Sequence, residues 1–134
     1  MSRQQVLEAA TQLVAAFASN DSDAYFAAFS EDASFVFHSC EQPLLSRSAY
    51  RQLWDSWQRD GFEVLDCTSS NQFVSLQGDV AIFIHDVSTR LCIQGNESLS
   101  LERETIVFRQ QPQTGRWLAC HEHLSAMPKH SPAT

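Results

Sequence analysis

The chain has 134 residues, of which 43% are hydrophobic and 19% are charged, and it contains nine phenylalanines and three tryptophans. This length and composition predict a single packed domain over residues 1–134 rather than a disordered chain. Sixteen acidic residues against nine basic ones give a formal net charge of −7, which disfavours nucleic acid and anionic membranes as partners. The apolar stretches are too short to cross a membrane, and residues 1–20 lack the pattern of a secretion signal. A cytoplasmic location is therefore predicted.

The N-terminal half predicts three amphipathic helices. Apolar residues recur at helical spacing from a capping box at Ser2 to about Ser19. An aspartate-rich turn then leads into a short second helix. A third helix begins after Ser46 or Ser48 and ends at Gly61. The second and third helices have apolar faces formed by these residues: Tyr25, Phe26, Phe29, Tyr50, Leu53, Trp54 and Trp57.

Strands are predicted for the rest of the chain. Residues 33–38 are aromatic and β-branched, as is typical of a strand, and long β segments separated by glycine-containing turns follow from Phe62 onward. Helices followed by strands in meander order are typical of an α+β domain whose helices cover one face of a curved antiparallel sheet. We expect a cavity between the layers and a loose tail over residues 127–134.

The last third of the chain carries a specific sequence similarity. The stretch from Glu104 to Pro128, which includes His121-Glu122-His123-Leu124-Ser125, resembles the closing strands of the association domain of calcium/calmodulin-dependent protein kinase II. That domain belongs to the NTF2-like (SnoaL-like) superfamily, and the order of elements agrees over essentially the whole chain. The resemblance implies an NTF2-like cone, with three N-terminal helices on a curved antiparallel sheet around a pocket. Enzymes, ligand binders and assembly modules share this fold, so the resemblance alone does not select a function.

Individual positions remove two kinds of site known in the superfamily. The pocket arginines of the kinase domain align with His85, Ile106 and Leu124. Leu13 and Phe37 stand where steroid isomerases have an oxyanion-holding tyrosine and a general-base aspartate, and apolar residues cannot transfer that proton. The second oxyanion donor of those isomerases, a carboxylic acid kept protonated by apolar surroundings, aligns near Glu104.

Strand alternation, anchored by the resemblance, defines one wall of the pocket. The residues predicted to point inward are Phe83, His85, Val87, Glu104, Ile106, Phe108, Leu118, Cys120, Glu122 and Leu124. His85, Glu104 and Glu122 are the candidate catalytic residues, because burial raises a carboxyl pKa and a neighbouring imidazole can relay the proton. The alternative is a hydrogen-bonded cluster that only orders the sheet.

Several further residues are candidates for ligand contact. They are Trp54, Trp57, His38, Phe83, Ile106 and Leu124. Large aromatic side chains can stack on a ligand, but the two tryptophans are alternatively ordinary core of the third helix. His38, near the end of the first strand, lies either at the pocket mouth or in solvent, and the sequence does not decide between these two positions.

No metal site and no cofactor are predicted. His121 and His123 share one face of a strand, a spacing that also occurs in metal sites, but that face offers no obvious third ligand. The four cysteines are 25 to 28 residues apart without a Cys-x-x-Cys pair. This spacing favours buried free thiols over disulfides.

Two functions remain open from the sequence. The first is a small-molecule pocket protein whose ligand is a hydrophobic compound with a carbonyl or carboxyl group, with or without the acid/base chemistry of an isomerase, cyclase or hydrolase. The second is a non-catalytic oligomerisation or regulatory module like the kinase association domain. The outer sheet face is predicted to form a homodimer, as it usually does in domains of this kind.

Overall fold

A computed structural model describes residues 2–128 of the chain. The tail predicted at 127–134 therefore lies almost entirely outside the described residues. The described elements, in chain order, are α1 (Ser2–Ala18), α2 (Ser22–Ala27), β1 (Phe29–Phe37), α3 (Arg47–Arg59), β2 (Phe62–Gln77), β3 (Val80–Ile93), β4 (Asn96–Gln110) and β5 (Trp117–Ala126). The helices pack on one face of the sheet, so the predicted α+β class is confirmed.

The helix starts follow from side-chain capping. Ser46 accepts a hydrogen bond at 3.0 Å from the backbone N–H of Ala49, which identifies it as the cap of α3. Asp21 caps α2 in the same way. The prediction that Phe29 belongs to the second helix is wrong. The carbonyl of Ala28 accepts a hydrogen bond at 2.9 Å from the N–H of Ala119 in β5, and the chain is already extended at Phe29.

Asn20 connects the helices to the sheet. Its backbone lies in the left-handed region with φ 58°, which asparagine tolerates better than most residues. Its side chain accepts a hydrogen bond at 2.9 Å from the N–H of Val64 and donates one at 2.8 Å to the carbonyl of the same residue. The turn between α1 and α2 is thereby attached to β2.

The sheet has the strand order β1-β5-β4-β3-β2. Strands β2 to β5 form the predicted antiparallel meander. Strand β1 lies at the edge of the sheet and pairs parallel to β5. The sheet is therefore mixed, whereas the sequence predicted a wholly antiparallel one. The helical layer covers the inner face, where side chains such as Ala81, Phe83 and Phe108 are fully buried.

A β-bulge in β5 changes which residues face inward. Val107 of β4 pairs with His121 and Phe108 pairs with Ala119, which leaves Cys120 as an extra residue. Trp117 and Ala119 are therefore buried, and the prediction that Leu118 and Cys120 point inward is wrong. Glu122, which follows the bulge, is buried as predicted.

Candidate active site

A cavity of about 770 Å³ lies between the helices and the inner sheet face. Its wall is mostly apolar and is formed by side chains such as Leu13, Phe17, Phe37, Trp57, Phe62 and Leu91. Residues from α1, α2, α3 and all five strands reach it. This size and lining are typical of sites for small organic molecules.

Six of the nine predicted site residues line the cavity. They are His38, Trp57, His85, Glu104, Glu122 and Leu124. Trp54, Phe83 and Ile106 are instead fully buried in the core and do not line the cavity, so their prediction as ligand contacts is corrected. Phe83 and Ile106 are paired between β3 and β4, and the indole N–H of Trp54 donates to Ser22 Oγ at 2.9 Å.

His85 is held from both sides of its ring. Nδ1 lies 2.6 Å from Ser69 Oγ, and Nε2 lies 2.8 Å from Glu104 Oε1. The side-chain amide of Gln72 donates to Ser69 Oγ at 2.9 Å, and the serine hydroxyl can in turn donate to Nδ1. In the tautomer in which Nδ1 accepts from Ser69, Nε2 carries the ring proton and donates the hydrogen bond to Glu104 Oε1. The ring is fully buried, so it orients Glu104 without reaching bulk water.

Glu122 is the most buried acid of the site, with 2% of its surface exposed. Burial raises the pKa of its carboxyl well above the ordinary value, and the charge of Glu104 together with a hydrogen bond to that carboxyl raises it further. Its Oε2 atom has no hydrogen-bond partner within residues 2–128. Glu104 and Glu122 therefore form a pair of adjacent carboxyls in which burial favours the protonated form of Glu122.

Two tyrosines on the helical side complete the polar part of the cavity, and the sequence pattern identified them only as apolar helix faces. The hydroxyls of Tyr25 and Tyr50 are 2.9 Å apart, and both residues line the cavity. Burial raises the pKa of both hydroxyls, and the nearby Glu122 raises it further. The two tyrosines are therefore neutral. One hydroxyl donates its proton to the hydrogen bond between them, and the proton of the other hydroxyl remains available to donate a hydrogen bond to a ligand.

The mouth of the cavity is polar. His38 is exposed there, and its Nε2 lies 2.5 Å from Glu102 Oε2. Asp60 and Gln94 line the same rim and are exposed. His38 thus lines the cavity and is also exposed to solvent.

His121 and His123 lie on the opposite face of β5. The Nδ1 atom of His121 hydrogen-bonds Ser34 Oγ at 2.8 Å, and burial together with His123 lowers the pKa of His121. Among the described residues, no three His, Cys, Asp or Glu side chains are grouped to hold a metal ion. The four cysteines are unpaired and half-buried.

The arrangement of these elements defines a class of protein. Three helices and a mixed, mainly antiparallel sheet enclose an apolar cavity with one carboxyl pair, and this is the NTF2-like architecture. A family model described as the SnoaL-like domain matches residues 6–129. The chain belongs to the SnoaL-like domain family. No curated protein matches it.

Solved structures agree with this assignment. A protein of unknown function from Mycobacterium tuberculosis aligns with a TM-score of 0.79 and 16% identity over 99% of this chain and 76% of its own. A ketosteroid isomerase-like protein from Erwinia carotovora atroseptica gives 0.78 and 16% over 91% and 93%. A protein described as a calcium/calmodulin-dependent protein kinase II association domain, from Xanthomonas campestris, gives 0.76 and 20% over 93% and 87%. At these identities the likeness shows the fold alone, and it confirms the predicted NTF2-like fold.

None of the described helices is both long and apolar enough to span a membrane.

Proposed function

We propose that the cavity binds a small hydrophobic carbonyl compound and that Glu104 and Glu122 act on it as a base and an acid. The observation that carries this proposal is the fully buried carboxyl of Glu122 beside Glu104 in an apolar cavity. A pair of carboxyls sharing one proton supplies one proton acceptor and one proton donor, which are the two groups that enolisation of a carbonyl compound needs.

The roles follow from the hydrogen bonds. Glu104 accepts from His85 and is the base that removes a proton from the carbon next to the carbonyl group. Glu122 is protonated before the reaction and transfers its proton to the carbonyl oxygen. The free hydroxyl proton of the Tyr25–Tyr50 pair can donate a hydrogen bond to the same oxygen. The product is the enol, and the reverse steps return the proton to the carbon. Trp57 and Leu124 supply apolar contacts to the ligand body.

Ligand binding is tested by thermal shift with hydrophobic ketones, enones, lactones and aromatic acids. Proton transfer is tested with 2-acetylnaphthalene, by measuring with NMR how fast the protons on the carbon next to the carbonyl group exchange with deuterium. We expect Glu104→Gln to slow exchange by about 10² or more, the usual contribution of a general base, while largely sparing affinity. Glu8→Gln, the same change on the exposed face of α1, should leave both unchanged. The absence of stabilisation by every ligand class would count against a binding function.

Dimerisation through the outer sheet face is a second proposal, and a separate observation supports it. Phe73, Leu99 and Leu101 point outward from the sheet and are 56%, 60% and 55% exposed. Large exposed apolar side chains gathered on one face are typical of a contact surface. Light scattering at micromolar concentration should give a dimer that Leu101→Glu dissociates. A monomeric wild-type protein would contradict this proposal and, with it, the assembly-module alternative. The cytoplasmic location stays a prediction.

A further inference from the structure

Carboxyl groups outnumber basic groups in the cavity wall. Asp60, Glu102, Glu104 and Glu122 line it, and no arginine or lysine does so among residues 2–128. The two imidazoles that line the cavity already have carboxylate partners, since His38 contacts Glu102 and His85 contacts Glu104. A ligand entering this cavity therefore meets negative charge and no free cation on the described wall.

The arginines of the chain are used elsewhere. Five of them form ion pairs outside the cavity: Arg47 with Glu31, Arg51 with Asp23, Arg90 with Asp66 and Glu97, Arg103 with Asp86, and Arg109 with Asp32. Arg3 donates to the carbonyl of Val74. None of these side chains belongs to the cavity wall.

The inner end of the cavity has one unused polar contact. Glu122 Oε2 has no hydrogen-bond partner within the described chain, although 98% of the residue is buried and it lines the cavity. A buried carboxyl oxygen without a partner is unfavourable, because it has lost its hydration without replacement. A ligand polar atom placed there would satisfy it.

The kind of polar atom is decided by charge. A carboxylate or phosphate at this position would stand beside the charge already carried by the Glu104–Glu122 pair, at a distance where like charges in a partly buried site repel strongly. An uncharged carbonyl oxygen meets no such repulsion, and it accepts a hydrogen bond from Glu122 when the proton of that acid is on Oε2.

We infer that the cavity selects uncharged carbonyl compounds and rejects carboxylates and phosphates of the same shape. This inference rests on the proposed binding function and narrows the ligand class that the sequence left open, since a carboxyl group is excluded as the inner polar group. The residues that determine the selection are Glu104 and Glu122.

The test uses two pairs of probes that share a hydrocarbon body. They are 2-acetylnaphthalene with 2-naphthoate, and 4-acetylbiphenyl with biphenyl-4-carboxylate. Dissociation constants are measured at pH 7.5 by calorimetry. We expect each ketone to bind at least about tenfold more tightly than its acid. Glu104→Gln removes one negative charge and should bring the two affinities of each pair together, whereas Glu122→Gln leaves the charge of Glu104 in place and should preserve the preference for the ketone. Glu8→Gln should preserve the discrimination.

The outcomes separate this inference from the proposed function. Equal or tighter binding of the acids by the wild-type protein would overturn the charge selection while leaving the binding function intact. Unchanged discrimination in Glu104→Gln would also overturn it, because the selection would then have another origin. If no probe of either pair binds, both the binding function and the selection fail.

Discussion

Replacing Glu122 by glutamine should make the protein more stable at neutral and alkaline pH. The amide keeps the size of the side chain and can donate to Glu104, but it does not ionise. In the folded protein the pKa of Glu122 lies well above the value of 4.5 expected in an unfolded chain, because of burial first and Glu104 second. Between these two pKa values the folded state holds a proton that the unfolded state releases, so stability falls as pH rises.

The magnitude follows from the number of protons involved. One proton held only by the folded state changes the free energy of unfolding by about 1.4 kcal/mol for each pH unit within that window. Over two pH units above 5 the wild-type protein should therefore lose up to about 3 kcal/mol that the variant keeps. The residue is almost completely buried, so solvent screening reduces this effect little.

The assay is urea unfolding of the wild-type protein, Glu122→Gln and Glu8→Gln at pH 5, 6, 7 and 8. Other groups titrate in all three proteins and cancel in the differences. The advantage of Glu122→Gln over the wild-type protein should grow with pH and level off above the folded-state pKa, whereas Glu8→Gln should run parallel to the wild type. Parallel curves for Glu122→Gln would refute the assignment of a raised pKa to this carboxyl.

Three further predictions concern local features. Asn20→Ala removes both hydrogen bonds to Val64 and places alanine at φ 58°, where its Cβ is sterically unfavourable, so it should lower the free energy of unfolding in urea by about 2 to 3 kcal/mol. Asn20→Gly should be less destabilising because glycine tolerates this φ, and equal effects of the two variants would exclude backbone strain. Ser46→Ala removes the cap of α3 and should lower stability by about 1 kcal/mol, while Ser48→Ala, within the helix, should have little effect; the reverse order would contradict the assigned start. Burial raises the pKa of Cys67 to about 11, so this thiol should be alkylated at pH 8 about a hundredfold more slowly than in the unfolded chain. Peptide mass spectrometry measures the alkylation rate, and equal rates in the two states would contradict the burial of this thiol.

The fold was largely predictable because its signals are local. Helical spacing and a capping serine identify α3, and glycine-containing turns separate the strands of the meander. The exception at Phe29 has a non-local cause, since its strand conformation depends on pairing with Ala119, far along the chain. The sequence pattern near Phe29 does not predict its pairing with Ala119.

The candidate site was predictable where strand alternation reaches it. His85 and Glu104 are direct partners on adjacent antiparallel strands, so the same alternation identifies both. The bulge at Cys120 interrupts that alternation through a register shift, which is a property of two strands together and leaves no signature in one of them. Tyr25 and Tyr50 were assigned as apolar helix faces because the contact between their hydroxyls joins two separate helices.

The bulge at Cys120 also means that two cavity chemistries are one residue apart. If β5 continued from Ala119 in regular alternation, Glu122 would turn to the outer face, and His121 and His123 would turn into the cavity. The strand order and the helices would be unchanged by that slip, yet the carboxyl that β5 contributes to the cavity would be replaced by two imidazoles. A single unpaired residue at the edge of the core therefore decides which chemical groups of β5 face the cavity within the same topology.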